Sequence, residues 1–414
     1  MSQEEKDLDV AKEIVECAKS IEETAFAIPG GVGETKIARE LRDKIEKDTN
    51  KLGRLEPYKI YKFRGQVAMP YLSIWYFVSM IIFFGSFGVD PTKKYVNTIV
   101  SIASLAVLII GLALHISLLF GVGKLSKAKS KKVSYNVIAG DIGDNNEQSI
   151  ILTANHDDKY GTMLKDREFS KKLIGIALPI ATLIYMLLLI ARAGIGATDK
   201  NIIAVFVVFP LIFCGFSIYL IITHFSLLPK HVVENNGISI GIALKLFEYF
   251  SKEENKLNNY NVKFVSFGGE TLANAGSYAF FKYQNKTKKN IVINISHIIS
   301  GEFKVNLPEA IKKTGGEYFK EFLDYIKEDS NISKSNEKRV TKLLDTDKRY
   351  ASDVARKFNC EAITIYTNKS KIYNYQVTEH DIAYIYEMLK EIIEKIDKKD
   401  KQTASEEVQQ ENLW

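Results

Sequence analysis

Two strand-like runs of this chain pass directly into residues equipped for acid–base or metal chemistry. The apolar run 149–154 leads into Asn155-His156-Asp157-Asp158, and the run 262–267 leads into Gly268-Gly269-Glu270-Thr271. Imidazole and carboxylate groups placed there lie where open α/β sheets bind ligands, outside the carboxyl ends of the strands. A third stretch, Gly237-Ile238-Ser239-Ile240-Gly241, has the Gly-x-Ser-x-Gly spacing of a nucleophile elbow, with Asp353 and His380 following in a suitable order. An elbow needs a firm strand directly before it, and 230–236 is a poor one, so a serine hydrolase using Ser239 is a minor alternative. Pro29-Gly30-Gly31-Val32-Gly33-Glu34-Thr35 has the glycines of a phosphate loop. Glu34 stands where the phosphate-binding lysine belongs and repels phosphate, so the segment reads as a helix-connecting turn and no nucleotide is expected.

The elements that position these residues follow from periodicity. Residues 5–26 repeat with a helical period that breaks at Ile28-Pro29-Gly30-Gly31, and a second amphipathic helix covers 34–52. Strands are expected at 133–139, 149–154, 262–267, 291–295 and 362–366. Helices are expected at 239–250, 272–283, within 306–327, and at 379–395. The polar tail 397–414 reads as disordered. Strands alternating with helices imply an α/β domain with a central, mostly parallel sheet flanked by helices.

Four long apolar runs interrupt that domain: 67–87, 95–122, 173–191 and 202–228. None contains Lys, Arg, Asp or Glu, and each has the ~19 residues needed to cross ~30 Å of hydrocarbon. They pair as two hairpins closed by short loops at 90–94 and 192–201. The large segments carry fifteen Lys or Arg close to the runs, whereas the short loops carry Lys93, Lys94, Arg192 and Lys200. That bias places the large domain and both termini in the cytoplasm of a multi-pass protein of the cell membrane. The resulting plan is 1–66 N-terminal helices, 67–122 first hairpin, 123–172 first strands, 173–228 second hairpin, 229–396 the remaining domain and 397–414 tail. No cleavable signal is expected ahead of the first run. Cys17, Cys214 and Cys360 are scattered and odd in number, which argues against a disulfide framework. The net charge of +6 fits basic flanks at a membrane surface. Basic residues interleaved with aromatics are not evident, and no nucleic acid partner is expected.

The order of motifs resembles membrane-embedded relatives of the di-zinc aminopeptidases, metallopeptidase family 28. Ile28-Pro29-Gly30 and the following helix resemble the family's N-terminal helix pair. Ile151 through Asp158 resembles its strand ending in His-x-Asp, and Glu234-Asn235-Asn236-Gly237-Ile238-Ser239 lies where the family has an Asp-Asn helix start. Phe264 through Thr271 with Gly276-Ser277 resembles its Glu-Glu strand end, and Ile293-Asn294-Ile295-Ser296 its Asn-Leu-Asp strand. The resemblance implies a zinc-peptidase fold in which His156 is a retained zinc ligand, Asp158 orients it, and Glu270 is the vestige of the general base. It also implies that ligand positions are substituted at Asn235, Thr271 and Ser296, and that a late histidine ligand has no counterpart in 366–371. One of five ligand positions then keeps a ligand. Glu234 and His297 stand beside two substituted positions as rescue ligands. His231, His115 and His224 read as structural histidines.

The resulting expectation is a non-catalytic pseudopeptidase that binds or scaffolds at the bilayer, with no cofactor. The alternative is a divergent active membrane zinc metallopeptidase. The second hairpin separates His156 from Asn235, so the pocket is expected close to the membrane plane. There it would meet peptides or membrane proteins, with His156, Asp158 and Glu270 as contacts for a peptide amino group.

Overall fold

The computed structural model describes residues 3–23, 27–61, 94–120, 129–140, 148–157, 177–195, 236–271, 274–284, 290–298, 303–306, 332–334, 350–367 and 377–411, with isolated positions in 74–81 and 208–218. The helices are α1 (Gln3–Glu23), α2 (Val32–Thr49), α3 (Lys94–Phe120), α4 (Leu178–Ile195), α5 (Gly237–Ser251), α6 (Ala275–Lys282), α7 (Ala351–Lys357) and α8 (Glu379–Glu411). The strands are β1 (Gly53–Tyr61), β2 (Lys129–Ala139), β3 (Gln148–Asn155), β4 (Tyr260–Phe267), β5 (Ile291–Ser296), β6 (Phe303–Asn306), β7 (Ile332–Lys334) and β8 (Glu361–Thr367).

These strands form one sheet in the order β1-β2-β4-β3-β5-β8-β6-β7. Its centre, β4-β3-β5-β8, is parallel, while β2 joins β4 and β6 joins β8 in antiparallel fashion, and β1–β2 is an antiparallel pair. The sheet is therefore mixed at both flanks, although parallel where the candidate residues lie. Side chains alternate across it. Ile150, Leu152, Ile291, Ile293, Ile295, Ile363 and Ile365 face a core completed by α1, α2, α5 and α8. Ile151, Val265, Phe267, Val292 and Ala362 face the smaller core under α6 and α7. On that second side Thr153 Oγ1, Asn294 and Thr364 Oγ1 are linked across β3, β5 and β8 by hydrogen bonds of 2.9 and 3.1 Å, continued to Ser352 on α7. Neutral amide and hydroxyl groups satisfy one another there without burying a charge.

Several differences from the expected elements have physical reasons. The 53–61 strand was not expected because Arg54, Glu56 and Lys59 dilute its apolar content, as befits an edge strand. The short β6, β7 and α7 give too few residues for a period to show. The last helix continues through the polar tail to Glu411, since Glu, Lys, Gln and Ala are strong helix formers. Asp397, expected to begin a disordered tail, is instead 4% exposed. Its carboxylate accepts the backbone N–H groups of Asn258 (3.0 Å) and Asn259 (2.7 Å). The expected helix within 306–327 lies outside the described residues.

Two of the four apolar runs fall largely on described helices, α3 and α4, which pack on one another. Their outward residues are Ile99, Ile102, Ile109, Ile110, Leu183, Leu187 and Ile190, all roughly half exposed or more, whereas Ser101, Ser104, Thr182 and Tyr185 are buried between them. The described side chains of α3 run unbroken only through 98–114. Over the described residues, no helix is long and apolar enough to cross a membrane. The expected four transmembrane helices are thus not established by the fold, and the runs 67–87 and 202–228 lie mainly outside the described residues.

Candidate functional site

The carboxyl ends of β4, β3, β5 and β8 bring together most of the described candidates. His156 follows β3, and its backbone N–H donates to Phe267 O at 3.0 Å, extending the β3–β4 ladder by one bond. Its side chain is 3% exposed, with Nδ1 2.9 Å from Ser266 Oγ on β4. Among the described residues Nε2 is buried without a hydrogen-bond partner. Burial pushes the imidazole down to about 3, so it is neutral at pH 7.

Glu270 sits at the end of the Gly268-Gly269 turn and is 6% exposed. Its carboxyl accepts the Ser277 N–H (2.6 Å) and Oγ–H (3.2 Å). Burial, helped by the Asp157 charge, raises it to about 8 despite those hydrogen bonds. Glu270 is therefore protonated at neutral pH, and a protonated carboxyl cannot take a proton from water. A cation beside it would lower that value again.

Thr271, at the position the resemblance gives to a zinc-binding carboxylate, donates its N–H (2.9 Å) and Oγ1–H (2.7 Å) to Asp157 Oδ2. Ser296, the last residue of β5, is 2% exposed and pairs with Tyr366 of β8. His297 follows with φ 54°, in the left-handed region. Its backbone is fixed by Asn236 Oδ1, which accepts the His297 N–H at 3.1 Å, and by Thr367, whose N–H and Oγ1–H reach His297 O. Asn236, which caps α5, thus brings the start of that helix against the end of β5. Asp158, Glu234, Asn235, His231 and His224 lie outside the described residues, as do 368–371 of the late-histidine region.

Zinc is what the resemblance implies, and the described donors do not fit a two-zinc centre. His156 Nε2 is suitably buried and unpartnered, but the Glu270 carboxyl is engaged by Ser277 and Asp157 Oδ2 by Thr271. Among the described residues no three His, Cys, Asp or Glu side chains converge as a metal-binding group.

Ser239 is fully buried on the first turn of α5, where its Oγ accepts the Ile298 N–H at 3.3 Å. That placement gives it no exposed elbow. Asp353 is paired with Arg356 on α7, and His380 is exposed on α8. The serine-hydrolase expectation therefore fails on geometry.

The sequence reading missed the groups behind these residues. Glu34, on the first turn of α2, is fully buried. Its Oε1 lies 2.5 Å from Ser134 Oγ on β2 and accepts the Gly269 N–H at 2.9 Å, and its Oε2 accepts the Gly30 N–H. Tyr58 Oη on β1 lies 2.8 Å from Ser134 Oγ and 2.5 Å from Gly268 O. Gly268 carries no side chain because a Cβ would overlap Glu34 Oε1, Ser134 Oγ and Tyr135 O. A glutamate just inside a helix that follows Pro-Gly-Gly is the one signal of this cluster in the sequence.

The sequence profile of Peptidase family M28 matches residues 226–409, less than half of the 414-residue chain. No curated protein matches by sequence. Among solved structures, similarity extends to a zinc aminopeptidase from Bacillus subtilis (8% identity, TM-score 0.45, covering 92% of this chain and 94% of that one). A leucine aminopeptidase precursor from Bacteroides thetaiotaomicron gives 8% identity and TM-score 0.49, covering 93% and 96%. Porphyromonas gingivalis glutaminyl cyclase gives 9% identity and TM-score 0.46, covering 93% and 98%.

Proposed function

We propose that this chain is a non-catalytic, membrane-held relative of metallopeptidase family 28 that binds its partner at the carboxyl edge of the sheet. The observation that carries this reading is the Asp157–Thr271 pair. A threonine stands at a zinc-ligand position and uses both of its donors on the neighbouring carboxylate, so the site closes on itself. The sequence profile match over 226–409 supports the family assignment. With His156 neutral and Glu270 protonated, the site is polar and nearly uncharged at pH 7 apart from Asp157. Its ligand class is a peptide amino group or a similar small cation, which Asp157 would attract and His156 Nε2 would contact, with Glu270 giving up its proton as the bound cation lowers its pKa.

Membrane attachment draws on the paired α3 and α4, which turn isoleucine and leucine outward and serine, threonine and tyrosine inward. In water that pattern is inverted, whereas in a bilayer the lipid covers the apolar side. The positive bias of the flanking segments puts the large domain in the cytoplasm, with the site near the bilayer surface.

One observation favours a second reading, a divergent active zinc peptidase: the buried Nε2 of His156, unpartnered among the described residues, is what a zinc ligand looks like before loading. Zinc content per chain of the detergent-purified protein, measured beside a His156→Ala control, separates the two. Essentially no zinc supports the binding protein. One or two zincs lost in the control overturn it and call for an aminopeptide substrate screen.

A further inference from the structure

Glu34, Ser134, Tyr58 and Gly268 form a chain of three short oxygen–oxygen contacts: Glu34 Oε1–Ser134 Oγ (2.5 Å), Ser134 Oγ–Tyr58 Oη (2.8 Å) and Tyr58 Oη–Gly268 O (2.5 Å). A contact this short between two oxygens requires a hydrogen between them. The two hydroxyls supply two hydrogens, and the Gly268 carbonyl supplies none. The third must come from the carboxyl of Glu34, giving one consistent order: Glu34 to Ser134, Ser134 to Tyr58, Tyr58 to Gly268 O. The same carboxyl still has lone pairs to accept the N–H groups of Gly269 and Gly30.

We propose that Glu34 is a positioning residue: as the neutral acid it clasps the Gly268-Gly269 turn through Ser134 and Tyr58, and thereby sets the place of the Glu270 carboxyl. The link onward is short. Gly276 packs so closely on Gly268 O and Tyr58 Oη that a Cβ there would overlap the former. Asn136 Nδ2 holds the Gly276 carbonyl at 3.0 Å, and the next residue, Ser277, supplies both donors to Glu270. A clasp on Gly268 and Gly269 therefore fixes both sides of the Glu270–Ser277 pair. A proton does here what a positive ion would otherwise do, which is to let several carboxyls lie close together in a buried space.

Burial and the nearby Asp157 charge agree with this, raising Glu34 to about 8. The titratable groups around it are Tyr58 from β1 and Asp157 after β3, with Glu270 beyond the turn; β2 contributes the hydroxyl of Ser134. Burial raises Tyr58 well above its ordinary value, so it remains a donor at any working pH.

The inference rests on the site reading only in taking Glu270 as part of the site, and its test uses ligand-free, chelator-treated, full-length protein in detergent. In a Glu270→Gln background, the infrared C=O stretch of a protonated carboxylic acid is compared at pH 7 with and without Glu34→Gln. Loss of a band on adding Glu34→Gln is expected. No difference overturns the proposal. Deuterium exchange of the 267–271 peptide gives the second readout. Tyr58→Phe, which breaks the chain without touching the carboxyl, should speed exchange roughly tenfold, the loss of about one hydrogen bond. Glu34→Gln should speed it by a similar factor, because an amide nitrogen that donates to Ser134 Oγ cannot also accept the Gly269 N–H that Oε1 accepts. Unchanged exchange in Tyr58→Phe, a variant that removes one oxygen from an edge strand, overturns the clasp even if Glu34 variants fail to fold. Zinc uptake would overturn the non-catalytic reading and leave these outcomes where they are.

Discussion

Asp157 and Thr271 meet across the ends of β3 and β4 through a single oxygen, Asp157 Oδ2, which accepts the Thr271 N–H at 2.9 Å and its Oγ1–H at 2.7 Å. Two donors on one carboxylate oxygen hold the site's only described permanent charge against its own turn. Thr271→Val keeps the backbone donor and the shape, and is expected to lower stability by ~1–2 kcal/mol. Thermal unfolding in detergent checks this; a Tm within error of wild type would show that the pair contributes nothing.

Gly268→Ala is predicted to be among the most damaging small substitutions in the domain. Its Cβ would overlap Glu34 Oε1, Ser134 Oγ and the Tyr135 carbonyl, and two of these belong to the backbone or to a fully buried carboxyl that cannot move aside. The expected loss is ~2–4 kcal/mol, read from the same unfolding experiment or from the soluble yield. Gly215, where no described residue lies within 4 Å of an added Cβ, is the control that should tolerate alanine.

Stability should fall as pH rises from 6.5 to 8. Glu34 and Glu270 are both raised from 4.5 to about 8. Their contribution is then complete below about pH 4.5, where both states are protonated, and declines until the folded groups ionise near pH 8. His156, lowered from 6.5 to about 3, opposes that trend only below pH 6.5. Between 6.5 and 8 each carboxyl costs up to ~1.4 kcal/mol per pH unit. Glu270→Gln removes one of the two, so the slope of Tm against pH should drop to about half. An unaltered slope would mean that Glu270 is ionised in the folded protein.

Leu187, 66% exposed on α4, is the position at which to test contact with lipid. Arginine at the centre of a membrane helix costs ~2.5–3.5 kcal/mol, so Leu187→Arg should reduce membrane insertion and the fraction surviving alkaline carbonate extraction. Wild-type protein released by carbonate, or an arginine variant inserted equally well, would count against membrane attachment.

Some of this was legible in the sequence because the period or the flanking turn was strong. The strands around His156 and Glu270 were placed to within two residues, since Ile150-Ile151-Leu152 and Val262, Phe264, Val265 and Phe267 concentrate apolar residues on both faces of a covered parallel sheet. The partners of the Gly268-Gly269 turn were not legible, for a common reason: each contact is made across a large sequence separation. Glu34 touches Gly269, and Tyr58 touches Gly268, through pairings that arise only when β1, β2 and β4 lie side by side. A buried glutamate has the same letter as an exposed one, and only the fold removes its water.

The first helix has a different kind of consequence. α1 buries Ala11, Ile14 and Cys17 against α5 and α8, elements that follow it much later in the sequence. On a ribosome α1 emerges before α5 and α8, so its cover is made later than the helix itself. Until α8 is synthesised α1 carries an apolar stripe whose native cover is incomplete, while β1 waits for its partner β2 on the far side of the first helical insertion. Late closure of this kind makes assembly slow and leaves the nascent chain open to association with other chains. Removing α8 would therefore uncover part of the apolar stripe on α1.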